Sequence, residues 1–298
     1  MKIKVSAEDG TVLATNIHNP AEDDLTLVLL HGFCMNSNSW ARARSAVERA
    51  CPTVRVISYD HRGHGHSGQG PRRSHTIDIL ADDLGRVLTT VAPTGRLVLA
   101  GHSLGAMTIL AHLRRNPSTL DRVSGLCLVA TASSRLSDHG GLARLLPAAV
   151  ARALPSVADR IPTFFESAWA VARTVLSPAL GTCGNCGRPS AAVLAELLAS
   201  LRSLDESASL PLLRALPTVV LAGAFDRITP VGHSRTIAAA APLSTLRVLP
   251  RAGHNLPLTH PQAVGRELVE LVTKGCRQSS RNCPYSVVEG VNAVVASV

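Results

Sequence analysis

The sequence places one serine where nucleophilic chemistry is expected. Ser103 stands in Gly-His-Ser-Leu-Gly, residues 101–105, directly after the apolar run "RLVLA" and directly before the helix-spaced run "LGAMTILAHLRR". That is the G-x-S-x-G pattern in its required place, between a strand and a helix. A serine hydroxyl is a poor nucleophile until a base takes its proton. Twelve histidines are present, so position must choose among them. His254, in "LRVLPRAGHNLPLTHP", follows the last strand-like run and is the candidate base; His260, beside Pro261, reads as a cap for the final helix. The base needs a carboxylate to fix its tautomer and stabilise the imidazolium. Asp226, in "VVLAGAFDRITP", closes the preceding strand-like run. The chemistry of such a set is acyl transfer through a serine ester, which requires no cofactor. Its oxyanion requires N–H donors. The natural ones are the backbone N–H of Leu104, opening the helix, and of Phe33, in "LTLVLLHGF" after an earlier strand. His31 and His102 flank this group.

Other groups read as structural. His61, His64 and His66 in "DHRGHGHS" are separated by glycines and lack a carboxylate partner for a metal. Seven cysteines at irregular spacing do not form a disulfide framework. Cys183 and Cys186 in "CGNC" make half a zinc pattern, with Cys276 and Cys283 as a distant other half, but a lone C-x-x-C is a weak signal and no metal site is expected. The net charge of +9 comes from scattered arginines, with lysine only at Lys2, Lys4 and Lys274 and aromatics at 3%. Stacking platforms need aromatics, so no nucleic-acid partner is expected. No apolar stretch reaches the roughly 18 residues of a membrane span, and "MKIKVSAEDG" has no secretory h-region. A cytoplasmic location is the expectation.

The elements that must position these residues follow from periodicity. "IKVSA" and "TVLATNI" around Asp9-Gly10 read as a hairpin. "LTLVLL" is apolar throughout, the mark of a strand buried on both faces. Strand-like and helix-spaced runs then alternate: "SWARARSAVERA", "TVRVISY", "TIDILADDLGRVLTTV", "RLVLAGH", "LGAMTILAHLRR" and "VSGLCLVA". This order predicts an α/β fold with a parallel, helix-covered sheet. Residues 133–215, rich in Ala and Leu and punctuated by prolines, interrupt the series with helices alone and read as a cap. "PTVVLAGAF", "VGHSRTIAAAA", "STLRVLP" and "PQAVGRELVELVTK" resume it. The expected division is a core of 1–132 and 216–274, the cap at 133–215, and an extension at 275–298 of undetermined role. Asp226 and His254 then stand at strand C-termini, where sites in parallel sheets assemble.

With "HGF" (31–33), "YDHRGHGHS" (59–67), "GHSLG", "GAFDRITP" (223–230) and "AGHNLPLTHP" (252–261) in order, the chain resembles the α/β-hydrolase superfamily from about Val12 to Lys274. The resemblance implies a mostly parallel eight-stranded sheet flanked by helices, with an inserted helical cap. It implies Ser103 as nucleophile, His254 as base and Asp226 as orienting acid, with Phe33 and Leu104 as oxyanion donors. It makes residues 133–215 the variable lid that shapes the acyl pocket. His31, Phe164, Phe165, Trp169 and Leu256 are the expected substrate contacts. Serine at position 103 disfavours the epoxide hydrolases and haloalkane dehalogenases, which use aspartate there. Tyr59 and Tyr285, the two tyrosines, lie outside the lid, and Asn255 stands where carbon–carbon hydrolases usually carry tryptophan. The implied substrate is a small ester with an apolar acyl or alcohol group. Cofactor-free haloperoxidase or perhydrolase, thioesterase and lactonase activities share the triad and stay open, as does a non-catalytic receptor on the same fold. The oligomeric state is not fixed by the sequence.

Overall fold

The computed structural model describes residues 1–19, 24–136, 139, 148–164, 166–167, 170 and 189–279. Eight strands form one sheet: β1 (Lys2–Ser6), β2 (Val12–His18), β3 (Leu25–Leu30), β4 (Arg55–Tyr59), β5 (Arg96–His102), β6 (Val123–Val129), β7 (Thr218–Gly223) and β8 (Ser244–Leu249). Their spatial order is β1-β2-β4-β3-β5-β6-β7-β8. β2 runs antiparallel to both β1 and β4, and every later pairing is parallel. The hairpin turns at Gly10, whose φ of +80° suits a residue without a side chain.

Helices cover both faces. α1 (Ala41–Ala50), α2 (Ile77–Val91) and α3 (Leu104–Arg115) follow β3, β4 and β5 respectively. Between β6 and β7 lie α4 (Ala148–Arg160), α5 (Ala191–Arg202) and a 3-10 stretch, Ser207–Ala215, with no strand among the described residues. α6 (Val231–Ala240), the short α7 (Leu256–Thr259) and α8 (Pro261–Ser279) complete the order. Leu84, Val87 and Leu88 of α2, Ile109 and Leu113 of α3 and Ile237 of α6 pack on one face of the sheet. Ala43 and Val47 of α1 and Val264, Leu268, Leu271 and Val272 of α8 pack on the other. All six residues of β3 are buried between these layers, which accounts for its unbroken apolar sequence.

α8 runs five residues beyond the end read from the sequence at Lys274. Cys276 continues the inward stripe of Leu268 and Val272 and is buried with them. The spacing of four keeps it on the same helix face.

α5 is fastened to the core by polar groups as well as apolar ones. Val193, Leu197 and Leu201 pack with Ile77 and Leu80 of α2 and Leu104 and Met107 of α3. The Glu196 carboxylate accepts the N–H groups of Arg73 (2.8 Å) and His75 (3.2 Å) and lies 2.6 Å from His75 Nδ1. The Ser200 hydroxyl accepts the N–H of Ile77 at 3.0 Å, satisfying one of the N-terminal donors of α2 that has no partner within its own helix.

Among the described residues, no helix is long and apolar enough to cross a membrane, and no cluster of side chains could hold a metal ion.

Candidate active site

Ser103 sits between β5 and α3 with φ +50° and ψ −115°, a conformation that L-residues rarely adopt and that costs on the order of 1–3 kcal/mol. The surroundings over-determine it. Its N–H donates to Val129 O (2.8 Å), and its carbonyl accepts from Ala106 N (3.0 Å), Met107 N (3.1 Å) and Thr131 Oγ1 (3.0 Å). The flanking glycines make room for so sharp a turn. A Cβ on Gly101 would lie 2.4 Å from Ala106 N, and one on Gly105 would lie 2.4 Å from Leu30 O. Helix and sheet thus meet at a distance no side chain permits.

The chain then brings three distant residues together. His254 Nε2 is 3.0 Å from Ser103 Oγ, and His254 Nδ1 is 2.8 Å from Asp226 Oδ2. With Nδ1–H donated to the carboxylate, Nε2 presents its lone pair to the serine hydroxyl. Asp226 lies in the turn after β7, packed so closely that a Cβ on Gly223 would fall 2.2 Å from Gly253 O on the His254 loop. Burial alone would raise the Asp226 carboxyl. The His254 ring and the N–H and O–H of Thr229 outweigh that and hold it below its ordinary value, so it remains an anion. Ile228 N (2.8 Å) and Thr229 N (2.9 Å) donate to Oδ1, and Thr229 Oγ1 (2.8 Å) donates to Oδ2.

His102, beside the serine, supports the loop that carries the base. Its Nε2 donates to the carbonyl of His254 at 3.0 Å, and the two rings lie 5.0 Å apart. Its own ring is fully buried, which together with the nearby His254 lowers its pKa to about 3 and keeps it neutral.

Phe33 lies in a turn closed by Met35 N donating to Gly32 O (3.1 Å), with Cys34 at φ +59°. The N–H of Cys34 donates to His64 Nε2 at 3.3 Å. The Phe33 side chain packs against the Leu104 and Val193 cluster. Leu104 opens α3, so its N–H has no acceptor within the helix.

Three of the expected substrate contacts lie within the described residues. The His31 ring is fully buried, with Nδ1 donating to Gly32 O (2.8 Å) and Nε2 accepting from His61 N (3.0 Å). Both nitrogens are engaged, so His31 shapes the Phe33 loop and has none left for a ligand. Leu256 is fully buried in the core layer with Trp40 and Leu268, on the inward side of α7. Phe164 is 67% exposed. Phe165 and Trp169 lie outside the described residues, as do Cys183, Cys186 and Cys283. The "DHRGHGHS" loop is a buried polar brace. Arg62 forms two 2.7 Å bonds to Asp83 and one to Asp9, and the Asp60 carboxylate accepts the N–H groups of Ser37 (2.7 Å) and His66 (2.9 Å). His260 packs at the start of α8, where its carbonyl accepts from Val264 N at 3.2 Å. A cavity of about 640 Å³ opens between α4, α5 and the start of α2, lined by charged groups such as Arg73, Arg152, Asp159 and Glu206. None of Ser103, Asp226 and His254 lines it.

Sequence reasoning missed Thr229. The signal was present: a threonine three residues after an aspartate can close a local side-chain turn.

The model of the alpha/beta hydrolase family matches residues 27–267. The chain is 31% identical over 254 residues to the pimeloyl-[acyl-carrier protein] methyl ester esterase of Chromobacterium violaceum, covering 82% of this chain and 92% of that protein. It is 27% identical over 274 residues to a Caulobacter sp. protein named as a carbamate hydrolase, RutD, covering 89% and 98%. Among solved structures, a thermophilic esterase from Thermogutta terrifontis superposes with a TM-score of 0.71 at 26% identity, covering 92% of this chain and 99% of that one.

Proposed function

The chain belongs to the alpha/beta hydrolase family, and from that premise we propose that it cleaves carboxylic esters through an acyl-enzyme on Ser103. The observation that carries this reading is the unbroken relay from Asp226 through His254 to the hydroxyl of Ser103, at 2.8 and 3.0 Å. His254 takes the serine proton through Nε2 as Oγ attacks the ester carbonyl. Asp226 stays ionised and balances the imidazolium that forms. The developing oxyanion rests on the N–H groups of Phe33 and Leu104, one from a tight turn and one from a helix start, where such donors are unspent. His254 then gives its proton to the leaving alcohol. Water enters, loses a proton to His254 and attacks the acyl carbonyl; the acyl–Oγ bond then breaks, His254 returns its proton to Oγ, and the carboxylic acid leaves.

Phe33, partly exposed and packed on the apolar cluster that contains Leu104, supports an apolar acyl group. A chain-length series checks this: butanoate or octanoate esters are expected to outpace acetate.

Ser103→Ala tests the mechanism. Turnover of p-nitrophenyl butanoate is expected to fall by about 10³-fold or more. Labelling by a fluorophosphonate is expected to vanish with it. Wild-type turnover in the alanine variant overturns the reading.

A further inference from the structure

Four donors converge on the Asp226 carboxylate, and one of them has a second use. A carboxylate only accepts, so the single O–H of Thr229 is committed to Oδ2 at 2.8 Å. The lone pairs of that hydroxyl remain, and His254 Nδ1 lies 3.2 Å from it. Nδ1 is also 2.8 Å from Asp226 Oδ2. The Nδ1–H therefore points between two acceptors, and the three atoms close a triangle with sides of 2.8, 2.8 and 3.2 Å.

We propose that Thr229 is a positioning residue for the base: its hydroxyl locks the Asp226 carboxylate and fixes the plane of the His254 ring. The proposal rests on the ester-cleaving reading given above. A ring held by one hydrogen bond can swing about the Nδ1–Oδ2 line. A second acceptor off that line removes the freedom and so aims Nε2 at Ser103 Oγ, 3.0 Å away. Thr229 is 1% exposed, so solvent does not compete for the hydroxyl. Its backbone N–H anchors Oδ1 separately at 2.9 Å, and that bond survives any substitution of the side chain. The methyl and the hydroxyl can thus be tested apart.

The experiment compares wild type, Thr229→Val, Thr229→Ser and Ser103→Ala in the full chain. Valine keeps the shape and removes the hydroxyl. Its kcat on p-nitrophenyl butanoate is expected to fall by about 10- to 10²-fold, the loss of a hydrogen bond to a charged group, with KM within about twofold. Serine keeps the hydroxyl and is expected to stay within about threefold of wild type. The proton NMR signal of His254 Nδ1–H is expected to shift in the valine variant and hold in the serine variant. Should the valine variant fail to fold by circular dichroism, Thr229→Ala removes the same hydroxyl and carries the same expectation. A valine kcat within twofold of wild type overturns the proposal, as do equal losses in the valine and serine variants. Turnover retained in Ser103→Ala sinks the ester-cleaving reading itself. Loss in Ser103→Ala beside a wild-type kcat in Thr229→Val sinks only the role of Thr229.

Discussion

Acidifying the protein from pH 7 to pH 5 will strip stability through rings that solvent never reaches. His64 and His102 are both fully buried; burial first, and a neighbouring histidine second (His31 and His254 respectively), lowers each from 6.5 to about 3. His31 and His61 are shifted in the same direction, again chiefly by burial. The folded pKa lies below the unfolded one. Between pH 6.5 and about 3 the unfolded chain therefore binds a proton at each ring that the folded chain refuses. Stability is fully present above pH 6.5 and falls as the pH drops through that window. Integrating the proton difference from pH 7 to pH 5 gives about 2 kcal/mol per ring, or roughly 4 kcal/mol for His64 and His102 together. A domain of ordinary stability has about 5–15 kcal/mol to lose. The Asp226 carboxyl is held below its ordinary value, so its own contribution is not lost between pH 7 and pH 5. The assay is urea unfolding followed by circular dichroism at pH 7, 6 and 5 at fixed ionic strength. His102→Gln, neutral at every pH, is expected to start less stable at pH 7 but to lose about 2 kcal/mol less on acidification. Equal losses in wild type and variant would refute the reasoning, as would a wild-type midpoint that does not move.

Two further outcomes follow from packing and charge. Gly105→Ala places a Cβ 2.4 Å from Leu30 O, so α3 must move off β3 and carry Ser103 with it; kcat for p-nitrophenyl butanoate is expected to fall by about 10²-fold in a folded protein, and an unchanged kcat would contradict the fit. Asp83→Ala leaves the 2%-exposed Arg62 guanidinium with Asp9 as its one carboxylate partner, and is expected to cost about 3 kcal/mol by urea midpoint; a loss below about 0.5 kcal/mol would show that Asp9 suffices.

Much of this fold was legible because strand ends punctuate the sequence. The apolar runs ending at His102, Gly223 and Leu249 each stop at a loop rich in glycine or proline, which put Ser103, Asp226 and His254 at strand ends. Their convergence was not legible; it follows from β5, β6, β7 and β8 lying side by side in parallel. Adjacency in sequence did not show how His31 and Leu256 are turned. Each lies within two residues of a proposed site residue, yet the first is turned into a histidine cluster and the second faces the core. A sequence names a neighbour but not the side of the backbone on which it falls. Thr229 escaped for a related reason. Threonine after aspartate suggests a local turn, and the shared proton at His254 depends on a loop 25 residues away. Composition likewise does not say that Phe164 is turned to solvent.

The fastening of α5 bears on how this protein can diversify. Ser200 completes a helix start that belongs to the core, and Glu196 holds the loop that leads into it. The segment is therefore not an interchangeable module. A cap transplanted from a relative would leave the N–H groups of Arg73, His75 and Ile77 without acceptors unless it brought equivalents of Glu196 and Ser200. Recombination breakpoints that preserve stability should keep residues 73–77 with residues 193–201, two stretches far apart in the gene and inseparable in the fold.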